Sequence, residues 1–537
     1  MVAHTAAPPR RLGLAGIVAY GAYVPYYRLQ RSEIAAVLGE GGGKGTRAVA
    51  SYDEDATSMG VEAARIALRS AAGAAAGAKK PVPERVIFAT ANPPYLDKTN
   101  AAVIHAALDL PPSTLAVDAG GAVRSGVGAL LSAADARVPA LVVLSDVRTG
   151  LPGGADERDG GDAAAAFLFG GDPPSAQGGV QAAGGSAPGN TVVGAAGGGA
   201  LVLAELIAVA ATTDEFLDRW RIPGAPAARV WEERFGEHVY GPLADAAFAD
   251  ALKQAGLSPG DVDHLAVAGL ATRAVKKFAG SAGVRAEALA SDLTAAIGNA
   301  GTAQAGVLLA DLLDRAEPEE TIALVVLADG ATVLLFRTTA ALAEHRSAPG
   351  FPSMAVGAQI AAGHDGLRYA TFLNWRGILP KEPPRRPDPD APAAPPSHRT
   401  GRYKYGFVGS RCDDCGAVHL PPVRVCVQCG AVDRMSAVPM ADATGTVATF
   451  TVDRLAYTPS PPMVAAVIDF AGGGRFRCQL TDVDHTAVAI GDQVEMTFRR
   501  MLTANGVHNY FWKARPVRHQ PTAGQPVAGQ PVAGQEA

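Results

Sequence analysis

Apolar residues occur in short unbroken runs through the first 340 positions and in strict alternation near the C-terminus, and the two patterns predict two kinds of architecture. Arg85-Val-Ile-Phe-Ala-Thr90, Ala140-Leu-Val-Val-Leu-Ser145, residues 200–209, His264-Leu-Ala-Val-Ala268 and Thr321-Ile-Ala-Leu-Val-Val-Leu327 read as buried strands. A strand covered on both faces needs no polar alternation. Between these runs, residues 56–73, 243–255 and 302–315 read as helices. Asp53, Glu54 and Asp55 sit where the first of these helices begins, and its dipole favours negative charge there. Strands alternating with helices predict an α/β layered fold. The scheme runs twice, so a pseudo-duplicated domain is expected, its halves at 12–175 and 190–345, divided by a Gly-rich stretch at 170–199. From residue 444 the text changes. Thr444-Gly-Thr-Val-Ala-Thr-Phe-Thr-Val452 alternates, and Gly472-Gly-Gly474 is a turn signal, as in a small all-β barrel over 438–518.

Residues 346–400 connect the two regions. Within them, 380–398 are so rich in proline that an extended linker is expected. The tail at 519–537 repeats Ala-Gly-Gln-Pro-Val and reads as disordered. Composition narrows the function. The chain of 537 residues is 48% hydrophobic and carries a net charge of −5 with no basic stripe, which argues against nucleic acid as a partner. No apolar run has the length of a membrane span, and the N-terminus lacks the apolar core of a signal peptide, so a cytoplasmic location is expected.

All five cysteines lie beyond residue 410. Cys412-Asp-Asp-Cys415 and Cys426-Val-Gln-Cys429 are two CxxC knuckles, a spacing that places four thiolates around one zinc in a ribbon at 401–437. Four thiolates close the coordination shell, so the Zn2+ is expected to be structural. Cys478 stands alone in a predicted strand and reads as a small buried hydrophobe.

The ribbon followed by the β-domain resembles the zinc-ribbon and OB-fold (DUF35-type) module that accompanies acyl-CoA-handling thiolase-like proteins. Phe511-Trp-Lys-Ala-Arg-Pro-Val517 looks like its closing strand. The first 340 residues resemble 3-hydroxy-3-methylglutaryl-CoA synthase of the archaeal and bacterial type. The resemblance rests on Gly16-Ile-Val-Ala-Tyr-Gly-Ala-Tyr-Val-Pro-Tyr-Tyr-Arg28, Tyr52-Asp-Glu-Asp-Ala-Thr-Ser-Met-Gly-Val-Glu-Ala-Ala64, Asp162-Ala-Ala-Ala-Ala-Phe-Leu-Phe-Gly170, Thr212-Thr-Asp214 and Ile297-Gly-Asn-Ala-Gly301, in that order. It implies a thiolase-like five-layered αβαβα fold that dimerises and takes an acyl-CoA or related thioester. It also implies four catalytic groups. In Leu115-Ala-Val-Asp-Ala-Gly-Gly-Ala-Val-Arg-Ser-Gly-Val-Gly-Ala-Leu130 the nucleophilic cysteine is replaced by Val123. The glutamate position holds Ala91, and the histidine position is Ala268 or Gly269. Only the asparagine survives, as Asn299, whose amide is suited to a thioester carbonyl or enolate oxygen.

A covalent acyl-cysteine route cannot run before Cys412. Other candidates for the chemistry are Tyr240 and His238 as acid or base and Ser125 as a nucleophile without an evident base. Arg124, Tyr95 and Lys276 are candidates for substrate contact, with Asp97, His105 and Lys277 beside them. Two functions fit. One is an enzyme making or breaking a carbon–carbon bond (aldol or retro-aldol), or transferring an acyl group, without an acyl-cysteine, in a setting such as secondary metabolism. The other is an inactive pseudo-synthase that scaffolds an active thiolase-like paralogue. The expected assembly is a homodimer or a heteromer with such a paralogue.

Overall fold

The computed structural model describes residues 15–72, 81–170, 201–232, 234–348, 350–382 and 390–517. The tail at 519–537 and nearly all of the Gly-rich stretch lie outside them. The first half contributes β1 (Gly16–Tyr23), β2 (Arg85–Thr90), β3 (Leu115–Gly120), β4 (Ala140–Asp146) and β5 (Ala163–Gly170). The second half contributes β6 (Ala204–Thr213), β7 (His264–Gly269), β8 (Thr321–Leu327) and β9 (Gly330–Thr338). The strand order is β1-β5-β4-β2-β3 in one half and β6-β9-β8-β7 in the other, joined where Ile17 meets Ala204. Parallel and antiparallel pairs occur at the same places in both halves. A single parallel bridge from Leu265 to Leu289 stands where β3 pairs with β2, so the second half keeps a trace of a fifth strand. The duplication is therefore topological as well as textual.

Alternate residues explain the layers. On β4, Ala140, Val142 and Leu144 join the middle core, whereas Leu141 and Val143 join an outer one; β2, β5, β8 and β9 divide in the same way. The middle core holds α3 (Arg124–Ala134) and α6 (Gln304–Leu313). Outside the first sheet lie α1 (Ala56–Ala72) and α2 (Ala101–Ala107), and outside the second lie α4 (Phe235–Ala255) and α5 (Thr272–Ser281). This is the expected five-layered αβαβα arrangement.

Several expected boundaries change. The strand expected at 200–209 is β6, which runs four residues later. The helix expected at 243–255 begins at Phe235 and runs through Pro242, which lies inside it and gives up one main-chain hydrogen bond. The linker expected to be extended over 380–398 contains a helix at Ala394–Arg399 with proline in its first turn, where a missing N–H costs nothing.

The ribbon is a three-stranded sheet of Val408–Cys412, Val418–His419 and Met435–Pro439. The barrel closes through β10 (Thr444–Asp453), β11 (Met463–Phe470), β12 (Arg475–Leu480), β13 (Gln493–Ala504) and β14 (Val507–Pro516). It is seated against the outer face of α1, and their apolar residues form one continuous cluster that includes Ala63, Ala67, Met496, Phe498 and Trp512. Inward-facing Trp512 and Ala514 fill the barrel, whereas Lys513 and Arg515, which point out of it, are nevertheless buried. With Arg499 they meet acids of the first half and one, Asp482, of the barrel. Lys513 Nζ lies 2.8 Å from Asp53, Arg499 lies 2.7 Å from Glu54 and 2.6 Å from Asp482, and Arg515 lies 3.2 Å from Glu62. Arg65 lies 2.7 Å from Glu62 and stacks over Trp512. Main-chain bonds tie the same seam: Arg500 N to Asp53 O at 2.9 Å and Phe498 N to Glu62 Oε1 at 3.1 Å.

The seam sets an acid limit. Burial penalises the Glu62 carboxylate, but Arg65 and Arg515 outweigh it and hold the pKa down at about 2. Asp53 is likewise held far below the ordinary range by Lys513 and Arg499 against its burial, whereas burial raises Glu54. A depressed folded pKa stabilises above the unfolded value of about 4 and loses that contribution as pH falls through the folded value. We expect protection from hydrogen exchange at the α1–barrel seam, measured relative to the unfolded chain at the same pH, to fall between about pH 4 and pH 2. Unchanged protection across that window would contradict this assignment.

Candidate active site

The pseudo-twofold brings the starts of α3 and α6 together in the middle layer. Before α3, the chain turns at Gly121 and reaches Val123 at the helix N-cap. Before α6 comes the turn Gly298-Asn299-Ala300-Gly301, whose two glycines have φ of +78° and +58°, a region that disfavours side chains. A Cβ at Gly126, in the first turn of α3, would lie 3.0 Å from the Thr302 carbonyl, so the two helix starts touch.

Asn299 is pinned by four bonds. Its Nδ2 donates to Gly269 O at 2.8 Å and its Oδ1 accepts from Gly301 N at 3.0 Å. Its backbone bonds Asp159 O and Gly161 N at 2.8 and 2.9 Å. One amide hydrogen is thus already engaged at the end of β7. At that strand end Ala268 is buried, and a Cβ on Gly269 would lie 2.8 Å from Leu327 O, so Gly269 has no room for a side chain. Ala91, at the end of β2, receives Arg221 on its carbonyl, and Arg221 also reaches Asn92 Oδ1 at 3.1 Å. Arg221 belongs to a strap between β6 and α4 that includes a short ribbon, Arg219–Trp220 with Arg229–Val230. Arg219 clamps this strap to Asp156 of the first half at 2.5 Å. The sequence reading did not single out the strap, because its apolar residues follow no period.

The remaining candidates do not assemble into one site. Arg124 reaches across the middle layer and donates to the carbonyls of Thr212 (3.0 Å), Ala328 (3.3 Å) and Asp329, and to Thr213 Oγ1 at 2.8 Å, so its guanidinium ties the halves together. Tyr240 is buried in α4 and packs edge-on against Phe216. Burial and the nearby Asp218 raise its pKa, so it stays protonated at neutral pH. His238, two residues earlier, faces solvent on the other side of the helix, and Lys276 is exposed on α5. Lys277 is exposed too, and lies 3.9 Å from Glu237. Ser125 donates to Gly120 O at 2.9 Å and lines a shallow depression of about 460 Å³ between β3 and α3. The carboxylate there, Asp118, accepts the N–H groups of Asn100 and Ala101 at 2.7 Å. Tyr95 is a seam residue: its hydroxyl accepts His508 N of the barrel at 2.7 Å and its ring packs on His508. Asp97 is exposed, and His105 bonds Pro111 O at 2.9 Å.

The four cysteines of the knuckles converge, with all ligand atoms within 4.8 Å of one another. Sγ separations of 3.6 Å (Cys412 to Cys429) and 3.5 Å (Cys415 to Cys426) are close to the ~3.8 Å edge of a tetrahedron with zinc–sulfur bonds of about 2.3 Å. The donor set therefore fits a closed zinc shell. Burial pushes the Cys478 thiol up to about 12, as suits a packing residue.

Comparisons with known proteins agree with this architecture. Residues 399–433 match the family described as ChsH2, rubredoxin-like zinc ribbon domain, and residues 437–499 match ChsH2, C-terminal OB-fold domain. A hydroxymethylglutaryl-CoA synthase of Aeropyrum pernix is 31% identical over 333 residues, 59% of this chain and 82% of the relative. A DUF35 domain-containing scaffold protein of Methanocaldococcus jannaschii is 30% identical over 128 residues, 23% of this chain and 90% of the relative. The crystal structure of an HMG-CoA synthase complexed with CoA shares the fold, with a TM-score of 0.50 at 18% identity, covering 69% of this chain and 91% of that one. The chain belongs to the hydroxymethylglutaryl-CoA synthase family and carries a zinc-ribbon and OB-fold module of the DUF35 type in the same polypeptide.

Proposed function

We propose that the protein is an enzyme that takes an acyl-CoA or related thioester into the middle-layer cleft and makes or breaks a carbon–carbon bond, or transfers the acyl group, without an acyl-cysteine. The observation that carries this reading is the Asn299 turn. It is held by four hydrogen bonds to Gly269, Gly301, Asp159 and Gly161, although no cysteine precedes Cys412 and Ala91, Ala268 and Gly269 offer no ionisable group. The second amide hydrogen of Asn299 would stabilise an enolate or thioester oxygen. Tyr240, held protonated, suits proton donation better than abstraction. His238 points away from Tyr240 and would act only from the surface. A C–C lyase or transferase of aldol or retro-aldol type fits these groups, and secondary metabolism would be a natural setting. The zinc of the ribbon would be structural. β3 ends its sheet among the described residues with Leu115 and Val117 exposed, which supports a dimer paired along that edge. A cytoplasmic location fits a chain in which no described helix could cross a membrane.

A second reading has its own support. Arg124 and one Asn299 hydrogen are engaged internally, and the ribbon and barrel resemble a scaffold protein, as expected of a pseudo-synthase partnered with an active paralogue. Calorimetry of the full chain with a panel of acyl-CoAs separates the two. The enzyme reading expects binding, and Asn299→Ala lowering turnover of the productive thioester by roughly a hundredfold. No binding by any CoA thioester, together with co-purification of an active thiolase-like protein, would establish the scaffold instead.

A further inference from the structure

The barrel meets the body of the protein at a second place, and that place borders the cleft. β13 and β14 join through Asn505-Gly506, a two-residue turn with φ of +50° and +76° that suits the twist of paired strands and leaves the hairpin no slack. His508 follows the turn and lies against the loop after β2, which carries Ala91 at its inner end and Tyr95 further out. His508 N donates to the Tyr95 hydroxyl at 2.7 Å, and the two rings pack with centroids 4.7 Å apart. The imidazole Nδ1 lies 2.8 Å from Thr503 Oγ1 on the facing strand, so the ring is held from its own side as well.

The loop links that contact to the interior. Leu96, Asp97, Lys98 and Thr99 are exposed. Behind them Asn100 is buried; its Nδ2 donates to Tyr95 O at 2.9 Å and its Oδ1 accepts Tyr95 N at 3.2 Å. At the inner end Asn92 donates from Nδ2 to Val147 O at 3.2 Å and from its main chain to Thr90 Oγ1 at 3.1 Å. Thr90 Oγ1 donates to the Asp146 carboxylate at 3.3 Å, and that carboxylate accepts Thr302 N at 3.1 Å, beside the turn that carries Asn299. Pro93 and Pro94 join Asn92 to Tyr95. Proline fixes φ, so a shift of Tyr95 is passed on to Asn92 and not absorbed between them.

Resting on the reading of the cleft as an acyl-thioester site, we propose that the barrel is part of that site: His508 and Tyr95 are positioning residues that hold the loop after β2, and through Pro93 and Pro94 they fix Asn92 and the Ala91 carbonyl as one wall of the cleft. The seam at α1 seats the barrel, and the hairpin uses that seat to reach the wall. The zinc-ribbon and OB-fold module thereby acts on the cleft of its own chain.

Site-resolved hydrogen exchange of the ligand-free full chain tests the link. The reporter is the Asn92 amide, which is bonded to Thr90 inside the cleft and not to the hairpin. Tyr95→Ala and His508→Ala are each expected to speed its exchange about tenfold, and Tyr95→Phe, which keeps the ring and loses only the oxygen, about threefold. A packing role confined to the contact would disturb amides there and leave Asn92 as it was. Acetyl-CoA and butyryl-CoA, titrated by calorimetry, should bind about fivefold more weakly to the alanine variants. Thermal melting reports whether each variant is folded, and Tyr95→Phe carries the test where an alanine variant is not. Unchanged Asn92 exchange in the folded variants overturns the proposal whatever the thioesters do. So does faster exchange with thioester binding equal to that of the wild type, since the loop would then be no wall of the site. If the wild-type chain binds neither thioester, the acyl-thioester reading itself has failed, and this proposal falls with it.

Discussion

Arg499→Met separates the barrel from the body of the protein. Arg499 is fully buried, and its guanidinium contacts Glu54 at 2.7 Å, Asp482 at 2.6 Å and Asp53 at 3.4 Å, three carboxylates drawn from both sides of the seam. Methionine fills much of the same space and removes the charge together with the hydrogen bonds to Tyr23, Ser51 and Thr497. The acids are then left buried without the guanidinium, and Lys513 lies 2.8 Å from Asp53 alone of the three. Breaking a buried ionic cluster in this way costs about 3–5 kcal/mol, far more than the pair contributes relative to apolar residues. A cost of that size is comparable to the whole stability of a small domain. The expected result is an early unfolding step in urea that exposes β13 and β14 to protease while the layered domain stays intact. Addition of Glu54→Gln and Asp482→Asn to Arg499→Met should recover part of the loss, because the orphaned charges go with the cation. A single cooperative transition with unchanged midpoint would show that the network is not what seats the barrel.

Removal of the metal is expected to have a second large effect, centred on the ribbon. Structural zinc in small zinc-finger modules contributes on the order of 10–16 kcal/mol of apparent binding energy. The ribbon's three short strands bury little that could replace it. Chelation, or Cys426→Ser, should release about one zinc per chain and expose residues 408–439 to proteolysis. Beyond the ribbon the damage should be felt where the ribbon touches the barrel, through Arg411 at Gly472 and through Val418, Leu420 and Val438, which pack against the cluster that includes the barrel core. Full protection of the ribbon after metal loss would refute a metal-dependent fold.

The layered fold was legible because its strands are buried on both faces and so read as unbroken apolar runs: Arg85–Thr90 and Thr321–Leu327 stand in the structure as read. The start of α4 was not, since Gly241 and Pro242 look like a break in the sequence and the helix nevertheless runs through them. Asp53, Glu54 and Asp55 were read by their proximity to a helix start, and for Asp55 that reading has a counterpart, as its carboxylate accepts Ser58 N at 2.9 Å. Asp53 and Glu54 instead answer cations more than 400 positions away, a pairing no local pattern carries. The one available signal was Lys513 and Arg515 alternating with Trp512 and Ala514. Alternation separates the two faces of a strand but does not tell whether the polar face meets water or another domain. The same limit applies to Tyr95 and Arg124. Their chemistry suits a substrate, and their contacts are with the chain itself.

A duplicated fold offers two equivalent outer walls, yet only one is occupied by a barrel. The second wall, made by α4 and α5, displays Arg273, Lys276 and Lys277 of α5 to solvent, whereas the first wall presents, on and just before α1, carboxylates matched to the barrel's cations. The internal symmetry is thus broken by charge as well as by the apolar contacts of α1 with the barrel. A free module bearing the same basic strands would find no second berth on this protein, and each chain should carry exclusively its own.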